Sequence, residues 1–140
     1  MSKDWVKDIE EMHDKYKFHD SISSFDNEKM QTLIQFRLDF LREELKETED
    51  AFDLYKLSRD LKDKEEFSSE EIVDGLIDLC VVAVGTLDLL GVDAYKAWDE
   101  VHKANMSKER GIKPGRPNPL GMPDLMKPEG WKPPSHKGNH

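Results

Sequence analysis

Residues 69–91, SEEIVDGLIDLCVVAVGTLDLLG, narrow the choice of fold more than any other stretch of the chain. Ile72, Val73, Leu76, Ile77, Leu79, Val81, Val82, Val84, Leu87 and Leu89 cover almost every face of a helix of this length. Such a helix is buried on most of its sides. Ser69 opens it and Gly91 marks its stop. One small domain does not readily supply enough helices to cover so much apolar surface, so a second subunit over one side is expected. Yet Glu71, Asp74 and Asp78 recur at i, i+3 and i+7 and draw an acidic stripe along this apolar rod. Unpaired carboxylates at a buried site repel one another and are costly, on the order of several kcal/mol, unless a cation neutralises them.

A second acidic group lies upstream in RLDFLREELKETEDAF, where Glu43, Glu44 and Glu47 sit together. Glu44-Leu-Lys-Glu47 and Glu71-Ile-Val-Asp74 are both pairs at i, i+3 spacing, so each projects from one face of its helix. If the two helices pack antiparallel, the pairs face each other across a narrow gap. Carboxylate oxygens from two helices suit a hard ion such as Mg²⁺, which keeps open positions for water or phosphate. Glu43, the spare acid, is then the candidate to orient or deprotonate a water. A lone ExxE is common on solvated helices. Two pairs, one entering a buried helix, are far more specific.

The remainder reads as helices followed by a tail. A first helix is expected over 4–16, with Trp5, Ile9, Met12 and Tyr16 as its apolar stripe, and residues 20–24 as a polar break. A long helix follows over 26–57, capped by Asp26. Residues 58–68 read as a loop or frayed helical end, and a last helix spans 93–106. All seven prolines follow residue 113 and five of the eight glycines follow residue 110, so 111–140 cannot form a long helix. The expected architecture is all-α, like a four-helix bundle, with a domain over 1–110 and an extended Pro/Gly-rich tail over 111–140.

Charge restricts the partners. The net charge is −9, but residues 108–140 carry seven Lys/Arg against three Asp/Glu, leaving −13 for the first 107. So acidic a body argues against nucleic acid as a partner, though not against a small phosphorylated substrate held through metal. Asp78, Gly85 and Asp88 interrupt the longest apolar run, and the N-terminal residues have no apolar leader region; no membrane partner and a cytoplasmic location are expected. Cys80, the single cysteine, reads as a small core residue.

The pattern EELKE, a spacer, then EEIVDGLIDLCVVAVGTLDLLGVD resembles the all-α nucleoside triphosphate pyrophosphohydrolases, the MazG-like superfamily. This group includes dimeric dUTPases, dCTP pyrophosphatases and phosphoribosyl-ATP pyrophosphohydrolase. EVHKANMSK is similar to the next block of phage and bacterial members, and KPEGWKPP to their tails. The resemblance implies Mg²⁺-dependent cleavage between the α- and β-phosphates of a nucleoside triphosphate, with Mn²⁺ as a substitute ion, in a homodimer or homotetramer. It puts Glu44, Glu47, Glu71 and Asp74 on the metal-ligand positions and Glu43 where some dimeric members activate water. Lys103 and Asn105 fall in a block that contacts phosphate or sugar, and Asp78 is an added acid beside the substrate. Phosphoribosyl-ATP hydrolysis, or a non-catalytic metal-binding helical oligomer, is the alternative. Glu10-x-x-His13 matches the ExxH of di-iron bundles, but a second ExxH is absent. His13 therefore reads as an exposed or packed histidine, and Trp5 and Trp98 as core or interface aromatics.

Overall fold

The computed structural model describes residues 1–60 and 69–140. They are mostly helical, in the order α1 (Trp5–Lys15), α2 (Phe18–Ile22), α3 (Asn27–Asp60), α4 (Glu70–Leu89) and α5 (Ala94–Met106), then β1 (Glu109–Gly111) and β2 (Asp124–Met126). The all-α expectation holds. The chain divides into two compact units, Met1–Gly91 and Val92–His140.

Aspartate begins three of the helices. The side chains of Asp4, Asp26 and Asp93 accept from the backbone N–H of Lys7, Lys29 and Lys96 at 3.1, 2.9 and 3.1 Å, satisfying donors that a helix start leaves orphaned. α4 stops where the sequence suggests. Gly91 adopts φ +71°, a left-handed conformation open to glycine at no steric cost. Two readings need correction. The polar break over 20–24 overlaps a short helix, α2, entered through Lys17 at φ 56°. The long helix runs on through Ser58–Asp60 rather than ending at 57, so of the segment read as a loop or frayed helical end, 58–60 are helical and 61–68 lie outside the described residues.

In the first unit, α4 packs chiefly on α3 and then on α1. Two glycines set the α3–α4 approach. A Cβ built on Gly75 would lie 2.1 Å from Thr48 Oγ1, and one on Gly85 would lie 2.7 Å from Arg37 Nη2. Moving eleven residues back along α3, from Thr48 to Arg37, matches ten residues forward along α4, so the helices are antiparallel. Arg37 is buried and desolvated, which lowers its pKa. Its Nη2 donates to the Val82 carbonyl and its Nε to Thr86 Oγ1, both at 3.0 Å. Ile9 and His13, not Trp5 and Tyr16, form the buried side of α1. Cys80 is half-buried, beside an apolar cavity of about 220 Å³ between α1 and α4.

The burial expected all round α4 is incomplete within one chain. Val82 and Leu89 are buried, whereas Val73, Leu76 and Ile77 remain 59%, 52% and 44% exposed. On α3, Leu38, Leu45 and Phe52 repeat at seven-residue spacing and are also exposed. Among the described residues no single helix is long and apolar enough to cross a membrane.

The second unit holds α5 and the C-terminal residues. β1 and β2 pair antiparallel, Glu109 opposite Met126 and Gly111 opposite Asp124. Asp124 accepts from the Lys113 N–H at 2.8 Å and pairs with Arg116 at 3.2 Å. The Trp131 indole donates to the Ala104 carbonyl at 2.9 Å and lies beneath the ammonium groups of Lys127 and Lys108. Trp98, read as a core or interface aromatic, is 71% exposed in this chain.

Candidate active site

The close crossing at Gly75 puts the two acidic segments against each other. Gly75 follows Asp74, and Thr48 follows Glu47; the antiparallel register then places Glu44 opposite Asp78 and Leu79. Thr48 is buried, and its hydroxyl donates to the Glu44 carbonyl at 2.8 Å, tying the α3 turn that carries the acids to the crossing itself. A larger residue at position 75 would hold this turn away from α4.

Electrostatics show which carboxylates converge. The half-buried Glu44 carboxyl is held above its ordinary pKa, first by partial desolvation and then by the negative charges of Glu47, Asp78, Glu43 and Asp74. Four of the other acids singled out in the sequence therefore act on Glu44: Glu43 and Glu47 from its own helix, and Asp74 and Asp78 from α4. Glu71 is exposed one turn earlier on α4 and is not among the charges that raise Glu44. Among the described residues, no lysine, arginine or histidine forms an ion pair with Glu43, Glu44, Glu47, Glu71, Asp74 or Asp78. Nor do any three of these acids bring their oxygens within 4.8 Å of one another. Mutually repelling carboxylates without a counter-charge stand apart in this way. The donor set is all oxygen, acidic and uncompensated, and it fits a hard divalent cation.

Lys103 and Asn105 lie on α5, in the second unit. Lys103 lines a cleft of about 520 Å³ with Ser107, Trp131 and Lys132. Asn105 Oδ1 accepts from Lys108 Nζ at 3.0 Å. Sequence reasoning missed one cluster: His13 and His19 converge on Asp88 at the other end of α4. The signal for it was slight, because 75 residues separate His13 from Asp88 and no local spacing joins them.

No curated protein sequence matches the chain. The family model described as phosphoribosyl-ATP pyrophosphohydrolase matches residues 6–105, a span that holds α1 but for its first residue, α2 to α4, all six acids and α5 but for its last residue. This match, with the all-α fold, makes the chain a member of the phosphoribosyl-ATP pyrophosphohydrolase family, and so a pyrophosphohydrolase of the MazG-like superfamily.

Proposed function

We propose that the protein is a Mg²⁺-dependent nucleoside triphosphate pyrophosphohydrolase that cleaves a ribo- or deoxynucleoside triphosphate to the monophosphate and pyrophosphate. Its role would be control of the nucleotide pool in the cytoplasm. The observation that carries this reading is the close α3–α4 crossing at Gly75 and Thr48, which sets Glu44 opposite Asp78, among acids that pair with no cation of the described residues. Such a site has no structural purpose of its own, since like charges at a helix crossing weaken the packing around them.

Glu44, Glu47, Glu71 and Asp74 would hold the ion, with Mn²⁺ able to replace Mg²⁺. When bound, the ion neutralises phosphate oxygens and lowers the pKa of a coordinated water. Glu43, next to Glu44 and exposed, is positioned to take a proton from the attacking water. Asp78 strengthens the local field and orients groups around the substrate. Lys103 and Asn105 are assigned to phosphate or sugar by the resemblance of their segment. The gain in rate would come mainly from positioning and charge neutralisation at the phosphates. The exposed apolar faces of α3 and α4 support assembly as a homodimer or homotetramer.

The family match is also consistent with a second substrate, phosphoribosyl-ATP, on the same acidic site. One assay separates the readings. The protein is incubated with each nucleoside triphosphate and with phosphoribosyl-ATP, with Mg²⁺ or EDTA, and the products are resolved by ion exchange. Monophosphate and pyrophosphate from a nucleoside triphosphate, formed only with Mg²⁺ and lost in Glu47→Gln at unchanged helicity, is the expected result. Turnover of phosphoribosyl-ATP alone selects the second substrate. A folded protein inactive on all of them would leave a non-catalytic helical oligomer.

A further inference from the structure

The C-terminal end of α4 carries a second cluster of metal-binding side chains. Asp88 lies ten residues beyond Asp78, about 15 Å along the helix, so the cluster is separate from the acidic crossing. His13 Nδ1 is 2.5 Å and His19 Nε2 is 2.7 Å from the same atom, Asp88 Oδ2. All three ligand atoms fall within 4.8 Å of one another. They come from three elements, α1, α2 and α4. The turn that brings the two histidines together passes through Lys17 in the left-handed region, a conformation costing a non-glycine residue about 1 kcal/mol.

The cluster is also held in place. His13 is 1% exposed; the Phe18 ring lies 4.7 Å from its own, and its Cε1–Nε2 edge lies over Gly85 and faces Arg37. Arg37, which also approaches Gly85, is engaged by Val82 and Thr86. The Asp88 side chain is 17% exposed and that of His19 45%, so the cluster opens to solvent on the His19 side only.

We propose that His13, His19 and Asp88 form a Zn²⁺ site with three protein ligands and a water in the fourth position, tying α1 and α2 to the end of α4. Two imidazole nitrogens and one carboxylate oxygen suit a borderline ion, whereas Mg²⁺ selects oxygen alone. Without metal, His13 Nδ1–H and His19 Nε2–H both donate to Asp88 Oδ2. With metal, those nitrogens present lone pairs and the ring protons reside on His13 Nε2 and His19 Nδ1. Bonds of about 2.0–2.1 Å place tetrahedral ligand atoms about 3.3 Å apart, so the cluster opens by less than about 1 Å, chiefly at His19. The proposal does not depend on which substrate the acidic site hydrolyses.

The full chain, stripped with EDTA and returned to excess Mg²⁺, is titrated with Zn²⁺ by calorimetry and thermal unfolding, and the 1:1 complex is examined by X-ray absorption. One equivalent should bind with a raised Tm and two imidazoles in the absorption spectrum. His19→Ala and Asp88→Asn should each weaken Zn²⁺ binding by about tenfold or more, with helicity unchanged, and Glu47→Gln should bind as the parent does. If Asp88→Asn does not fold, the exposed His19→Ala decides alone. Parental affinity in His19→Ala, loss of binding in Glu47→Gln, or no binding up to about 100 µM Zn²⁺ overturns the site.

Discussion

An alanine at Gly75 tests the packing that assembles the acidic site. Its Cβ would lie 2.1 Å from Thr48 Oγ1 and 3.1 Å from Thr48 Cβ, far inside van der Waals contact. On an open stretch of helix the same change stabilises by about 0.5–1 kcal/mol, because alanine loses less backbone freedom than glycine. At this crossing, either Thr48 rotates and gives up its 2.8 Å bond to the Glu44 carbonyl, or α3 and α4 separate. Thr48 is buried, which leaves little room to rotate. Overpacking of this kind costs about 1–3 kcal/mol and outweighs the gain in helix propensity. The expected net loss is about 1–2 kcal/mol, a fall in Tm of roughly 5–15 °C for a unit of this size. Thermal and urea unfolding by circular dichroism measure it. Thr48→Ala in the same background removes Oγ1 and should recover about 1 kcal/mol, a favourable coupling between the two positions. Hydrolysis should fall about tenfold or more in the single variant, because the displaced turn carries Glu44 and Glu47. A Gly75→Ala protein as stable as the parent, or one that Thr48→Ala does not rescue, would refute the close crossing as the determinant.

Two further outcomes are expected. Because Glu44 has a raised pKa in the fold, its contribution to stability is complete below the unfolded-state value and is lost as pH rises through the folded-state value. Metal-free protein should therefore gain stability from this group as pH falls through the raised carboxylate range. Glu44→Gln, or saturating Mg²⁺, should flatten that part of the profile, and an unchanged slope in both would remove Glu44 as its source. Trp131→Ala deletes the bond to the Ala104 carbonyl, of about 1 kcal/mol, and two cation–π contacts of about 0.5–1 kcal/mol each. Amide exchange should quicken at the C-terminal turn of α5, and protection equal to the parent's would show that the tail does not hold that turn.

The long helices were legible because each has a local signal. Asp26 caps α3, Ser69 and Gly91 bracket α4, and Asp93 caps α5, within about three residues of the observed bounds. The antiparallel register that sets Glu44 opposite Asp78 was legible for the same reason, since i, i+3 spacing fixes a face and antiparallel packing is the simplest way to join two faces. What escaped was short or non-local. α2 has five residues, too few for a period, and β1 and β2 have three each, separated by a proline-rich loop. His13 was readable only as a histidine on an amphipathic helix, because its partner Asp88 lies at the far end of the unit's sequence. Gly75 and Gly85 could have said more than they did. A glycine inside an otherwise apolar helix weakens it, and the reason is often the close approach of another backbone or side chain.

Those two glycines also explain how an uncompensated acidic cluster can sit at a helix crossing. Ten residues apart on α4, they admit Thr48 and Arg37 respectively, so α3 is held at two points on either side of the stretch where Glu44 and Asp78 meet. At the Gly85 end, Arg37 donates its hydrogen bonds to Val82 and Thr86 of α4 and is not drawn towards the acids. A cation of the protein's own in the gap would relieve the repulsion and raise stability, but it would compete with any metal for the same oxygens. Anchoring the crossing through small residues and a remote arginine leaves these carboxylates, among the described residues, without a cationic partner. On this reasoning the affinity for a divalent ion is set by how much repulsion the fold sustains in its absence. A lysine introduced at Leu79, opposite Glu44, should accordingly stabilise the metal-free protein and weaken Mg²⁺ binding together; either effect without the other would break the link between them.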